Sequence, residues 1–290
     1  MPKVNPTKTS GPISKRNPSK RFGKSSGAVD RILSLDKVEH DGIKACFYGH
    51  SGTGKTRLIG SFAQAGRLLH LICSSNGTNE CRSIKGTKGV DVVEIQEPDD
   101  LGELVEMAAQ SGKYTTVALD HVTSFSELVL ARILKVETLP PQSSWGMAEH
   151  KEYQEMGLKV KLYLKDLIAL PCNVIMTGQE RIFKETKDSD DEAIMPYVSI
   201  STTPTVAGWI APAVDFMGRT FKRTKVIIED KKMGDTIVTK KTVTKEKEYG
   251  LLVGPSTVYV TKFRCPPGTV LPDVVVNPTY ENLEFLVDEE

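Results

Sequence analysis

No run of apolar residues in this 290-residue chain approaches the 18 or more that a membrane span requires. The first residues also lack the apolar segment of a secretory signal. A cytoplasmic protein with no membrane partner is therefore expected. Cysteine is sparse: the five present (Cys46, Cys73, Cys81, Cys172 and Cys265) are an odd number and form no C-x-x-C pair. That argues against a disulfide framework and against zinc, and for small buried thiols in a reducing compartment. No internal repeat is visible, and no N-K-x-D guanine-reading motif occurs, which disfavours a GTPase. Acids are missing from the beginning of the chain. Residues 1–29 hold seven basic side chains (Lys3, Lys8, Lys15, Arg16, Lys20, Arg21 and Lys24) and no Asp or Glu. The other 31 basic groups face 37 acidic ones, so the chain is +1 overall but −6 beyond this stretch. Rich also in Pro, Ser, Gly and Asn, the stretch cannot bury enough apolar surface to order itself. A disordered basic arm is expected, either gripping a phosphate backbone in a salt-sensitive way or serving as a solubilising tail.

What is present is a soluble globular composition, 39% hydrophobic and 26% charged. Within it stands one specific motif. Residues Gly49, His50, Ser51, Gly52, Thr53, Gly54, Lys55 and Thr56 spell a complete phosphate-binding loop, G-x-x-x-x-G-K-[ST]. It follows a short apolar run, Ile43 to Tyr48, and precedes helical spacing at Leu58, Ile59, Phe62 and Ala63. Strand, tight loop and helix are the context that the motif needs. Gly52 and Gly54 let backbone N–H groups turn inward around an anion, reinforced by the start of the helix dipole. Lys55 would reach the β- and γ-phosphates, and the Thr56 hydroxyl would ligate Mg²⁺. A nucleoside triphosphate with Mg²⁺ is the expected cofactor.

Magnesium needs a second, acidic anchor. The run T-T-V-A-L-D, Thr115 to Asp120, reads as a strand ending in a carboxylate, and a parallel sheet brings such strand ends together. Asp120 would hold Mg²⁺ through water. The alternative is that it caps the next helix, a role Thr123 or Ser124 could fill instead. The strand Asn173 to Thr177 ends in Gly178, Gln179, Glu180 and Arg181, with Gln179 placed to feel the γ-phosphate. Further strands are expected at Leu68 to Cys73 and Val90 to Ile95. A helix capped by Asp99 or Asp100 should follow, with others at Phe125 to Leu134 and Met147 to Leu170, the last stopped by Pro171. Alternating strands and helices predict an α/β fold, a mostly parallel sheet between helices. Ordered structure should begin near Val29, with a short helix or strand around Ile32 to Val38. Beyond Trp209 the pattern changes to β segments joined by charged turns: Phe216 to Ile228, Thr236 to Val243 and Thr257 to Phe263. The expected layout is an arm at 1–29, an ATPase core at 30–215 and a C-terminal β-rich extension at 216–290 packed on the core.

Phosphate loop, V-A-L-D strand, W-x(7)-Y helix (Trp145, Tyr153) and V-I-M-T-G-Q-E strand occur in an order that resembles the phage-encoded RecA-like ATPases. These small proteins of the AAA/RecA class include single-strand annealing recombinases. The resemblance covers roughly Lys44 to Arg219 and extends weakly to the C-terminus. It implies a RecA-like P-loop core, ATP hydrolysis, single-stranded DNA as partner, and homo-oligomeric rings or filaments. A single-strand-binding protein is a further candidate partner, and the host cytoplasm the compartment if the chain is phage-encoded. It also implies that Gln179 senses the γ-phosphate and that the loop behind it, Phe183 to Ala207, faces DNA.

Two departures from the family pattern carry consequences. The second core strand runs into C-S-S-N-G-T-N-E, without the usual water-orienting glutamate at its end. Glu80, seven residues on, is the substitute and Glu127 a weaker one, so slow, DNA-stimulated hydrolysis is expected. The DNA-facing loop contains Asp188, Asp190, Asp191 and Glu192, which repel phosphates, so Lys184, Lys187 and the basic arm would have to supply attraction. The segment T-K-F-R, Thr261 to Arg264, is similar to the Lys-x-Arg signature of related DNA-repair ATPases. Lys262 and Arg264 are accordingly expected to act from a neighbouring subunit, with Arg219 and Arg223 next in line. The function expected is Mg²⁺–ATP-dependent DNA recombination or annealing. The alternatives are an ATPase accessory to replication or packaging, such as a helicase loader, and an ATP-binding DNA-binding module with little hydrolysis.

Overall fold

The computed structural model describes residues 42–74, 76–137, 139, 148–183, 196–233, 236–264, 270 and 272–284. The basic arm, the segment Ile32 to Val38, Trp145 and the charged residues between 184 and 192 lie outside them. The strands are β1 Lys44–Tyr48, β2 Leu68–Ile72, β3 Val90–Glu94, β4 Thr116–Asp120, β5 Asn173–Gly178, β6 Glu180–Phe183, β7 Tyr197–Ile200, β8 Phe216–Met233, β9 Thr236–Leu252, β10 Lys262–Phe263 and β11 Val274–Val276. The helices are α1 Lys55–Ser61, α2 Pro98–Ser111, α3 Val122–Leu134, α4 His150–Ile168, α5 Pro204–Ala213 and α6 Tyr280–Glu284.

Among the described residues, nine strands make one sheet: β11-β9-β8-β1-β5-β4-β2-β3, with β10 beside β8. From β8 through to β3 every neighbouring pair is parallel. Parallel strands need helical crossovers, which cover both faces and force the strands to be apolar throughout. β1 shows the result: Cys46 and Tyr48 enter one buried cluster, Ala45 and Phe47 the other. The first cluster packs under α2 to α5 through Leu101, Phe125, Val160 and Ile210; the second lies under α1 and α6 through Leu58, Ile59 and Leu283. On α4 the core-facing stripe is Met156, Val160, Leu164 and Leu167, all buried. The cap of α2 is Glu97 and not Asp99 or Asp100; Asp100 is the third residue of the helix and completes a capping box, its Oδ2 accepting from the backbone N–H groups of Gln96 and Glu97 at 2.8 and 2.9 Å.

The chain differs from expectation beyond residue 215. Position 216 marks a change of strand length and not of sheet: β8 begins there and pairs in parallel with β1 from Phe216 to Arg219. β8 and β9 then continue as one antiparallel hairpin of 18 and 17 residues, in place of several short ones. Of Thr257 to Phe263, Lys262 and Phe263 alone form a strand, and Tyr259 makes an isolated bridge to Val198. Within Phe183 to Ala207 the described residues are not a loop, because Tyr197–Ile200 pairs with β6 and Pro204 opens α5.

Candidate functional site

The loops after β1, β4 and β5 converge at the C-terminal ends of the parallel strands, where a parallel sheet gathers ligands. The loop after β1 turns through Gly52 (φ 73°) and Gly54 (φ 93°), left-handed conformations that glycine adopts without steric cost. Lys55 opens α1 and is buried; its ammonium donates to the carbonyls of Gly49 and His50, both at 2.9 Å. Burial lowers its pKa, and Asp120, Glu180 and Glu80 oppose the shift, so three carboxylates lie within electrostatic reach of that one cation. Thr53 Oγ1 lies 2.8 Å from Thr220 Oγ1, which anchors the loop to β8.

The deciding contact lies between Thr56 and Asp120. The Thr56 hydroxyl donates to Asp120 Oδ2 at 2.8 Å, although 64 residues separate them. Asp120 is not used as a helix cap, since His121 takes that role: its Nδ1 accepts from the Ser124 N–H at 3.1 Å. A hydroxyl and a carboxylate side by side, next to a glycine-turned loop and one ammonium, match the donor set that Mg²⁺ and a triphosphate require. A family model described as an AAA domain matches residues 41–265. The chain belongs to the AAA domain family. None of the curated proteins matches it. Membership makes this AAA domain a P-loop, nucleotide-binding protein of an ATPase family.

In this AAA domain the carboxylate of Asp120 is held by more than the loop. Its Oδ1 accepts from Thr177 Oγ1 at 2.5 Å, and its Oδ2 lies 3.3 Å from His70 Nε2 on β2. His70 is fully buried, and its Nδ1 sits 3.5 Å from Cys81 Sγ. Burial opposes the imidazolium, but Asp120 and Cys81 outweigh it and raise the pKa of His70. Burial likewise opposes the Asp120 anion, and the bonds from His70, Thr177 and Thr56 outweigh that and lower its pKa. The two form a buried ion pair beside the Thr56 hydroxyl. The sequence held a signal for it: His70 is the one polar side chain in L-L-H-L-I, a strand buried at every position. A buried polar group needs a partner.

Gln179 stands at the end of β5 as expected. Its N–H donates to Thr123 Oγ1 at 3.1 Å and its carbonyl accepts from Ser201 N at 2.7 Å, so its backbone joins α3 to the end of β7. Glu80 lies in a 3₁₀ segment, Gly77–Ile84, where Ser74 Oγ donates to it at 2.5 Å. Glu127 is exposed on α3. A carboxylate not anticipated stands closer: Glu180 receives Arg219 in a two-pronged pair at 2.8 and 3.2 Å, and His50 of the phosphate loop at 2.8 Å. Arg219 in turn lies 4.2 Å from the Tyr259 ring centroid.

Lys262 and Arg264 are elsewhere. β10 is antiparallel to β8, pairing Phe263 with Phe216, which carries both cations to the opposite end of the sheet from the phosphate loop. Lys262 Nζ donates to the carbonyls of Ala211, Pro212 and Val214 at the end of α5, and Arg264 to Asp215 Oδ1 at 3.0 Å. Within one chain neither belongs to the site. An action on a neighbour would require these bonds to be given up. Arg223 likewise is engaged locally, with Glu248 across the hairpin.

Proposed function

We propose that this AAA domain is a Mg²⁺–ATP-dependent ATPase acting on single-stranded DNA in recombination or annealing, with nucleotide state controlling assembly into a ring or filament. The observation that carries the nucleotide half is the Thr56–Asp120 contact at 2.8 Å beside a buried Lys55. Thr56 and Asp120 would hold Mg²⁺, and the loop amides with Lys55 the phosphates. The ion, when bound, supplies charge neutralisation on the phosphate oxygens. Glu80, within electrostatic reach of Lys55 and His121, is the residue we assign to orienting the attacking water.

The DNA half draws support from three features. The first is the order of motifs shared with RecA-like annealing proteins. The second is the basic stretch at 1–29, with seven cations and no acid. The third is a cleft of about 790 Å³ between α3, α4 and the start of α5, which carries Tyr153, Lys161 and Arg181. An aromatic ring flanked by cations suits a base and its phosphate. Gln179, bonded through its backbone to α3 and to the end of β7, offers a route from the terminal phosphate to that cleft.

A second reading, an ATP-binding module with little hydrolysis, is favoured by one observation: Glu80 already accepts a bond from Ser74. One assay separates the readings: phosphate release with and without single-stranded DNA, on wild type and Lys55→Ala. Stimulation by DNA that Lys55→Ala abolishes supports the first reading. Turnover that needs a protein partner points to a replication or packaging accessory, and negligible turnover with intact ATP binding to the module.

A further inference from the structure

We propose that Tyr249 is the platform on which the base of the bound nucleotide stacks, with Arg57 and Lys222 flanking it. This rests on the nucleotide reading above and adds the seat of the base.

The argument begins with direction. Lys55, Thr56 and Asp120 mark where the terminal phosphates and their metal belong. Asp120 ends β4, two strands to one side of β1. The nucleoside then leaves the loop on the other side, over the start of α1 at Arg57 and toward β8 and β9. There Tyr249, opposite Lys222 on the hairpin, turns its ring onto the loop. A Cβ added to Gly54 would lie 3.0 Å from the ring's Cδ1. The Arg57 guanidinium lies 5.9 Å and the Lys222 ammonium 5.7 Å from the ring centroid. The ring is half-buried, and its position is set by the backbone: Tyr249 N–H donates to Asn277 Oδ1 at 3.2 Å, and Asn277 N–H donates to the Tyr249 carbonyl at 2.7 Å. Its hydroxyl makes no hydrogen bond among the described residues. An aromatic ring on a tethered backbone, partly open to solvent and beside two cations, offers a π surface to a base and positive charge to the phosphate that follows it.

The competing role is packing, in which Tyr249 merely covers Gly54. The two roles separate with two ligands, Mg²⁺–ATP and Mg²⁺–inorganic triphosphate, titrated into full-length wild type, Tyr249→Leu, Tyr249→Trp and Lys55→Ala. Leucine keeps bulk on Gly54 and tryptophan keeps a stacking face. We expect Tyr249→Leu to weaken ATP binding about tenfold, the size of one lost stack, while inorganic triphosphate binds as in wild type. Tyr249→Trp should hold ATP as wild type does. Unchanged ATP binding in Tyr249→Leu, or equal weakening of both ligands, overturns the proposal. If wild type binds neither ligand, with Lys55→Ala no different, it is the nucleotide reading itself that fails.

Discussion

The strand that carries the phosphate loop has two unlike sides. Toward β5, β4, β2 and β3 the strands are five or six residues long and mostly covered on both faces. Toward β8 and β9 they run to 18 and 17 residues, of which four residues of β8 pair with β1. Each side carries ion pairs, yet these pairs do different work. His70–Asp120 is buried, and its geometry fixes the Asp120 carboxylate beside Thr56. Arg223–Glu248 and Lys225–Glu246 join the two arms of the hairpin, the first pair half in solvent and the second with both side chains in it. The same charges are worth several-fold more where water is excluded, and cost more when one partner is lost. Burial, not the presence of a pair, decides what the site can hold in place.

The largest break in this comparison is His70→Leu. Removing one partner of a buried pair leaves Asp120 without its cation, which costs about 3–5 kcal/mol. Urea unfolding of the nucleotide-free protein should show the loss as a lower midpoint. In an Asp120→Asn background the same substitution should cost less than half as much; an equal cost would make His70 a packing residue. Alkaline pH sharpens the test. Since the folded-state pKa of His70 is raised, its stabilisation is fully present below the ordinary imidazole value of about 6.5 and is lost as pH rises through the folded value. The gap between wild type and His70→Leu should narrow accordingly. A gap that widens with pH contradicts the ion pair.

Arg219 tests where the boundary between the two sides falls. It belongs to β8, but in the four residues that still pair with β1, and its side chain and that of Glu180 are 17% and 8% exposed. Arg219→Met keeps bulk against Tyr259 and leaves Glu180 with His50 alone. The expected cost is about 2 kcal/mol in urea unfolding, between the buried pair and the solvent ones. A loss below about 0.5 kcal/mol would assign Arg219 to the hairpin's side.

Much of the first side was legible because its information is local. The G-H-S-G-T-G-K-T loop, the apolar run before it and the carboxylate ending T-V-A-L-D each announce themselves within a few residues. What was not legible depends on strand order and register. β5 inserts between β1 and β4, so Thr177 reaches Asp120. β2 lies on the far side of β4, so His70 does as well. No spacing in the chain encodes either neighbour. The T-K-F-R segment makes the same point: a short motif says nothing of which end of a sheet it occupies, and the antiparallel register of β10 places Lys262 and Arg264 at the end away from their own chain's phosphate loop. The hairpin was read as shorter pieces because its charged residues look like turns. Across two long strands they are cross-strand partners instead, such as Arg223 opposite Glu248.

The smallest effect closes the comparison from the solvent side. Lys225 Nζ lies 3.1 Å from Glu246 Oε2, but the two side chains are 47% and 70% exposed. Holding two long side chains in one geometry costs rotamer entropy that offsets most of the attraction, and salt screens the rest. Lys225→Ala should therefore change unfolding stability by less than about 0.5 kcal/mol, and that difference should vanish in about 1 M salt, where the screening length is about 3 Å. A cost of about 2 kcal/mol that persists in salt would mean that this part of the hairpin is covered in solution, by a second copy or another partner. The contrast drawn between the two sides of β1 would then hold for the isolated chain and not for its assembled form.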